Sequence, residues 1–114
     1  MAIFACKKID LFEIMKCGFA LTKTEHNILL FMVKSPVGFS IKEISQNFLL
    51  ERSTVQKAIS SLTEKGLILR KQQNLEKGGY RFRYISINKS KIKEKMLESV
   101  KLWYSSVESM INKW

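Results

Sequence analysis

The sequence predicts a mainly α-helical protein with one small β-hairpin, which places it in the α+β class. Three observations support this prediction. Apolar residues recur at helical spacing, between recognisable start and stop signals, through the first 65 residues. A segment that follows alternates apolar and polar residues as a strand does. The final 25 residues contain neither Gly nor Pro and return to helical spacing.

The first part of the chain predicts two helices. Residues 8–16 have apolar side chains at helical spacing, and we expect Gly18 to end this short helix. A second helix is predicted over residues 23–34. Thr22 precedes it, with a glutamate three residues on, which is the spacing of a capping box. Pro36 ends this helix, because the residue before a proline avoids helical backbone angles.

A second capping-box pattern begins at Ser40 and predicts a helix of two to three turns. Ile41, Ile44 and Phe48 would face the core on this helix. Residues 49–51 interrupt the helical pattern before it resumes. Two consecutive short helices are therefore expected, joined by a brief turn.

The helix after this turn, over residues 52–65, has one narrow apolar stripe. Val55, Ile59 and Leu62 lie four and then three residues apart, so they share one helix face. Gly66 follows at the position where a helix end favours a left-handed residue. Short polar or cationic side chains occupy the rest of the surface, namely Arg52, Ser53, Thr54, Gln56, Lys57, Ser60 and Ser61.

The spacing of apolar residues changes after Gly66 from a helical to a strand pattern, and a β-hairpin is predicted. Residues 67–71 have the composition of a strand, and residues 80–87 alternate aromatic or branched side chains with Arg and Ser. The polar segment between them contains Gly78 and Gly79, which suits a hairpin loop. This alternation is typical of a ribbon with one face on the core and the other in solvent or on a ligand.

The last segment predicts a long helix with an apolar seam. Its apolar residues are spaced alternately by four and three, which is the repeat of a coiled coil. A stripe that contains two tryptophans on a segment without net charge favours a partner surface, and we expect a dimer. The seam residues are Met96, Val100, Trp103, Val107, Met110 and Trp114, and Leu97, Tyr104 and Ile111 widen it on one side.

The charge of the chain is concentrated in one region. The 114 residues have a formal net charge of +10. Residues 65–95 contain ten Lys and Arg against two Glu, whereas residues 96–114 contain two of each sign. A small basic domain of this kind has a polyanionic partner, either nucleic acid or an anionic membrane surface. A membrane is the poorer fit, because the charge lies on a strand-rich segment and the apolar terminal helix is neutral.

Signals for other compartments and for catalysis are absent from the sequence. The longest apolar run has six residues, and no signal peptide is recognisable, so we expect a cytoplasmic protein. Cys6 and Cys17 match no zinc spacing, and we expect both to be reduced and buried. His26 is the single histidine, and it lies inside a predicted helix. No catalytic motif, metal site or cofactor site is predicted.

The order of elements resembles the winged helix-turn-helix of MarR-like and TrmB-like transcriptional regulators. The resemblance covers residues 21–88 and is most specific in RSTV, which begins at Arg52, and in KGLI, which begins at Lys65. It implies an N-terminal helix in residues 1–20, a winged core in 21–88 and a dimerisation helix in 89–114. It also implies pairing of two copies through their terminal helices.

The resemblance implies a homodimeric regulator, expected to be a repressor, that binds double-stranded DNA. Residues 52–65 would enter the major groove, where Gln pairs with adenine and Ser or Thr binds bases or phosphates. Residues 70–84, the wing, would contact the backbone or the minor groove. The Asp-x-Arg typical of MarR-like wings is absent, and Lys77 and Arg81 are the nearest substitutes. The wing residues expected to bind DNA are Arg70, Lys71, Lys77, Arg81 and Arg83.

Two other classes remain open at this stage. The domain could be a protein-interaction or general nucleic-acid-binding module of a larger assembly. It could also be a sensor that responds to oxidation of Cys6 and Cys17, or to an unidentified small molecule in the dimer cleft. A steep fall of DNA affinity with salt would favour phosphate contact. Unchanged DNA affinity after oxidation would exclude the thiol switch.

Overall fold

The computed structural model describes residues 2–114. Met1, which falls within the predicted N-terminal segment, lies outside this range. In the described range, two short antiparallel hairpins and five helices follow one another, and the predicted α+β class is confirmed. The elements are β1 (Ala2–Phe4), β2 (Lys7–Ile9), α1 (Leu11–Phe19), α2 (Lys23–Met32), α3 (Ile41–Phe48), α4 (Arg52–Glu64), β3 (Ile68–Asn74), β4 (Tyr80–Ser86) and α5 (Lys89–Asn112).

The N-terminal segment differs from the prediction. Residues 2–9 form the hairpin β1–β2, with Phe4 opposite Lys7, and the first helix begins only at Leu11. Asp10 sets this start, because its carboxylate accepts a hydrogen bond from the backbone N–H of Glu13 at 2.9 Å. Gly18 lies inside α1 rather than at its end, and the left-handed residue that ends the helix is Ala20.

The start of α2 follows its predicted capping box in full. The Thr22 hydroxyl accepts from the backbone N–H of Glu25 at 3.1 Å, and the Glu25 carboxylate accepts from the N–H of Thr22 at 3.2 Å. The predicted box before α3 is only half formed. The Ser40 hydroxyl accepts from the N–H of Glu43, but the Glu43 carboxylate does not return to the Ser40 backbone.

The core lies where α2, α3, α4 and the base of β3 meet. Val55, Ile59 and Leu62, the predicted stripe of α4, are all buried, so this prediction is confirmed. They pack into one cluster with buried residues of the neighbouring elements. Burial of such side chains contributes about 1.5–3 kcal/mol each. The other fully enclosed members are Ile28, Leu29, Met32, Ile44, Leu67 and Ile68.

The hairpin β3–β4 is anchored to the core at its base. Ile68 pairs with Ser86 at that end, and Asn74 pairs with Tyr80 at the far end. Phe39 adds a further antiparallel bridge to Tyr84, with hydrogen bonds of 2.9 and 2.8 Å. Strand β3 extends to Asn74, which is farther than the predicted strand over residues 67–71.

Gly38 is required for this anchoring. Its φ is +79°, and a Cβ there would lie 2.5 Å from the carbonyl oxygen of Tyr84 and from Cγ1 of Ile85. Any other residue would have to move the backbone of β4. The close approach of the two chain segments therefore depends on glycine.

Helix α5 extends well beyond the core. Ile92 is buried and Met96 packs partly against the core, but most of the later side chains are exposed. A helix of 24 residues is about 36 Å long, and the molecule measures 66 × 24 × 21 Å. Within residues 2–114, no helix combines the length and the apolar character needed to cross a bilayer.

Candidate nucleic-acid interface

Helices α3 and α4 and the turn between them form a helix-turn-helix unit. The turn passes through Leu49, whose φ of +54° gives a left-handed conformation that redirects the chain. Helix α4 then buries its apolar stripe and turns its polar face outward. A shallow depression of about 510 Å³ runs along that outer face. It is lined by Ser53, Gln56, Lys57, Ser60, Ser61 and Glu64.

Most of the α4 residues that are predicted to bind DNA are exposed. Arg52, Ser53 and Thr54 occupy the first turn, and Gln56, Lys57 and Ser60 follow on the outward surface. No member of this group makes a side-chain hydrogen bond within the described part of the chain. Their donors and acceptors are therefore available to a ligand.

The N-terminus of α4 differs from those of α1, α2 and α3. Its N-cap residue is Glu51, which makes no side-chain capping bond, and the first turn contains no acidic residue. Ser53 lies inside the helix and is not the cap. First-turn amides without a side-chain acceptor are suited to a phosphate oxygen.

Ser61 has a different environment from the rest of the predicted group. Its hydroxyl donates a hydrogen bond of 2.6 Å to Oε2 of Glu25, which is 6% exposed. Nζ of Lys65 donates to the same oxygen at 3.2 Å and to the carbonyl of Ala20 at 2.8 Å. The end of α4 is thus tied to α1 and α2. Ser61 and Lys65 are engaged within the protein.

The Glu25 carboxylate is held in its charged form by this network. Burial alone raises its pKa, but hydrogen bonds from Ser61, Thr22 and Lys65 outweigh burial, and the pKa lies below its ordinary value. The network is a buried polar link between α4 and the helices α1 and α2.

Arg83, also predicted to bind DNA, is engaged at the base of the wing. Its Nη1 lies 2.9 Å from Oε1 of Glu43, and its Nη2 donates to the carbonyl of Gly38 at 2.7 Å. This pairing explains the half-formed capping box of α3. The Glu43 carboxylate binds Arg83 and the Ser40 hydroxyl instead of the backbone N–H of Ser40. Arg83 fixes the wing to the start of α3.

The same contacts act on the ionisation of Glu43. Partial burial raises its pKa, while the Arg83 guanidinium and the Ser40 hydrogen bonds lower it by more. The pKa of Glu43 is therefore below its ordinary value, and the ion pair persists at neutral pH.

The other predicted wing residues are exposed on the hairpin. Lys71 and Lys77 are exposed. Nε of Arg81 donates to Oε1 of Gln73 at 2.8 Å. The guanidinium of Arg70 lies over the ring of Phe82, 4.2 Å from its centroid. Besides Arg83, the wing therefore presents four exposed cations.

Glu25, Glu43 and Phe82 are parts of this arrangement that the sequence alone does not identify. The sequence pattern assigns both glutamates only a capping role. Their spacing to Thr22 and Ser40 was the available signal, because a third-position glutamate places a carboxylate at a helix start. Their partners lie 36 to 40 residues away in the chain, so no local pattern identifies them.

The predicted dimer residues fall into two groups. Met96 packs partly on its own core, and Val107 is half-buried. The remaining seam residues are exposed, most strongly at the C-terminal end. The exposed fractions are 44% for Val100, 59% for Trp103, 72% for Met110 and 106% for Trp114.

The expected burial of the two cysteines is wrong. Cys6 and Cys17 are both free and exposed. Cys6 lies in the tight turn between β1 and β2, where it cannot reach the core, and Cys17 lies on the outward side of α1. His26 is packed instead, 7% exposed, with its ring edge-to-face with Phe12 at 4.4 Å.

The unit of α2, α3 and α4 followed by an anchored hairpin defines a winged helix-turn-helix, the fold of a large class of DNA-binding transcriptional regulators. Residues 15–90 match the family described as “Sugar-specific transcriptional regulator TrmB”. The chain belongs to this family. The predicted MarR- and TrmB-like identity is thereby confirmed, and the protein is a DNA-binding transcriptional regulator rather than an enzyme.

Three proteins illustrate the similarity. The uncharacterized protein MJ1082 of Methanocaldococcus jannaschii is 30% identical over 105 residues, which cover 92% of this chain and 86% of that protein. A possible transcriptional regulator from Methanosarcina mazei Go1 has a TM-score of 0.89 at 30% identity, with 100% and 96% coverage. A MarR-family regulator from Rhodococcus sp. RHA1 shares the fold, with a TM-score of 0.55, 11% identity, and 87% and 73% coverage.

Proposed function

We propose that the protein is a homodimeric repressor that binds a specific double-stranded DNA sequence. Helix α4 enters the major groove, and the wing, residues 70–84, contacts the backbone or the minor groove. The observation that supports this most directly is the division of α4. Its apolar stripe is completely buried, while its opposite face offers unengaged polar side chains along a shallow depression.

The chemistry of that face suits DNA. Gln56 has the paired donor and acceptor that match an adenine edge, and Lys57 supplies a charge for guanine or phosphate. Ser53 and Thr54 lie beside uncapped backbone amides, where a phosphate would be bound by both. Glu64 lines the far end of the same depression and repels phosphate. The base-reading part is therefore the N-terminal two thirds of α4.

The dimer is supported by the exposed seam of α5. Beyond Val100, its apolar side chains extend past the core and contact little of their own chain. Pairing of two seams would bury them as in a coiled coil. A two-fold axis then places two α4 helices in successive major grooves, about 34 Å apart.

Selection of bound sequences from a random duplex library tests specificity and symmetry together. We expect a pseudo-palindrome with half-sites separated by about one helical turn. A single unpaired half-site would contradict the dimeric geometry. Retention of the whole library without enrichment would contradict sequence-specific recognition.

Substitutions on α4 test which face reads the bases. We expect Gln56→Ala to cost about 1–3 kcal/mol of discrimination at one base pair. Lys57→Ala should weaken binding to all sequences and lower the salt dependence by about one phosphate contact. Fluorescence anisotropy with the selected operator measures both effects.

Asn27→Ala and Lys34→Ala are matched controls, because both residues are exposed on or just after α2, behind α4. Thermal unfolding should be the same for all four variants. Normal operator affinity of both α4 variants would contradict the proposed reading face.

A further inference from the structure

The distal wing has an aromatic side that the DNA-binding hypothesis does not by itself explain. In the register of β3 and β4, residues directly opposite one another share a face of the hairpin. Tyr80, Phe82 and Tyr84 alternate along β4 and so lie on one face, with Arg70 opposite Tyr84. Tyr80 meets Phe82 edge-on, with ring centroids 5.4 Å apart.

Arg70 is placed diagonally to Phe82 on this face. Its guanidinium carbon lies 4.2 Å from the ring centroid, which is within the range of a cation–π contact. A cation–π contact uses the charge of the guanidinium and leaves its N–H groups free to donate to other acceptors. Within residues 2–114, none of these N–H groups has a hydrogen-bond acceptor.

The three arginines of the wing therefore differ in what they can still bind. Arg83 already donates to Glu43 and Gly38 at the base. Arg81 has its Nε committed to Gln73. Arg70 alone combines a fixed orientation with an unused set of donors among the described wing residues.

We propose that Arg70 is the wing arginine that binds a DNA phosphate, and that Phe82, supported by Tyr80, is its positioning residue. The inference rests on the proposed mode of DNA binding and assigns the wing contact within it. The planar donor edge of a guanidinium matches two phosphate oxygens at once.

The aromatic ring supplies preorganisation. A free arginine side chain loses rotamer freedom when it binds, and that loss weakens the contact. Phe82 restricts Arg70 before DNA arrives. The strand pair, rather than the loop that contains Gly78 and Gly79, then determines where the phosphate is held.

A double-mutant cycle tests the assignment with the full chain and fluorescently labelled random-sequence duplex DNA. We expect Arg70→Ala to weaken binding about ten-fold, the effect of losing a hydrogen bond to a charged group. Phe82→Leu should weaken it about two- to five-fold, since an exposed cation–π contact is of that size. Phe82→Tyr retains the ring and should retain the affinity.

The decisive measurement is Phe82→Leu in the Arg70→Ala background, where it should have no further effect. A persistent loss there would mean that the ring contacts DNA itself and would overturn the positioning role. Wild-type affinity of Arg70→Ala would overturn the phosphate assignment. Circular dichroism and thermal unfolding establish that each variant is folded.

The outcomes also separate this inference from the broader proposal. If the unmodified chain does not bind duplex DNA, the proposed mode of action fails. If it binds and Lys57→Ala weakens it while Arg70→Ala does not, the proposed mode stands and the Arg70 assignment fails.

Discussion

Helices α4 and α5 have the same kind of sequence pattern but opposite surroundings. Each has a single apolar stripe at helical spacing. In α4 the stripe is enclosed, with Val55 and Leu62 at 0% exposure. In α5 it is enclosed only as far as Ile92 and Met96, and Trp103 and Met110 are 59% and 72% exposed.

The difference shows what a stripe alone can establish. A stripe identifies which side of a helix seeks burial, but the length of the neighbouring elements decides how much of it is covered. Helix α4 is 13 residues long and matches the helices around it, whereas α5 has 24 residues and outruns them. The uncovered part is the surface through which we propose that two chains pair.

The largest expected effect is the loss of folding stability when a residue of the buried α4 stripe is truncated. Leu62→Ala should lower the free energy of unfolding by about 2–5 kcal/mol, because it leaves a cavity in the core. Urea denaturation followed by circular dichroism measures this. Gln56→Ala, on the exposed side of the same helix, should change it by less than about 0.5 kcal/mol. Similar losses in both variants would contradict the one-sided burial of α4.

The uncovered stripe should control association instead. The double change Trp103→Glu and Met110→Glu should convert a species of twice the 13.3 kDa chain mass into a monomer, because charges cannot be buried in the seam. Size-exclusion chromatography with light scattering measures the mass. Leu102→Glu is the matched control, since Leu102 is 71% exposed but lies outside the seam, about 100° around α5 from Trp103. Monomeric wild-type protein at micromolar concentration would exclude the dimer.

A smaller effect concerns the polar link behind α4. The pKa of Glu25 in the folded protein lies below its ordinary value of 4.5. Its contribution to stability is therefore full above pH 4.5 and is lost as the pH falls through the lower, folded-state pKa. Unfolding measured across this acidic range should be less pH-dependent in Glu25→Gln. An unchanged pH profile would show that the network does not hold the charge.

Features that depend on neighbouring residues could be predicted from the sequence. The stripe of α4, the capping box at Thr22 and the left-handed Gly66 each use contacts within a few positions, and all three are present. The hairpin of β1 and β2 could not be predicted in this way. Its strands have three residues each, which is too short for alternation to be visible.

The roles of individual site residues depended on distant partners. Ser61 and Gln56 are both polar residues outside the apolar stripe of α4, but only Ser61 meets Glu25 from α2. Arg81 and Arg83 alternate along one strand, yet only Arg83 reaches Glu43, 40 residues earlier. Local patterns therefore predict the element that carries the site, and tertiary packing decides which of its side chains remain available.

The extended end of α5 also determines what intrinsic tryptophan fluorescence measures in this protein. Both tryptophans of the chain, Trp103 and Trp114, are in that segment, and neither is in the core. If two chains pair as proposed, intrinsic tryptophan emission should follow that pairing, while circular dichroism follows the core. The emission maximum should shift to longer wavelength on dilution, before any helix is lost.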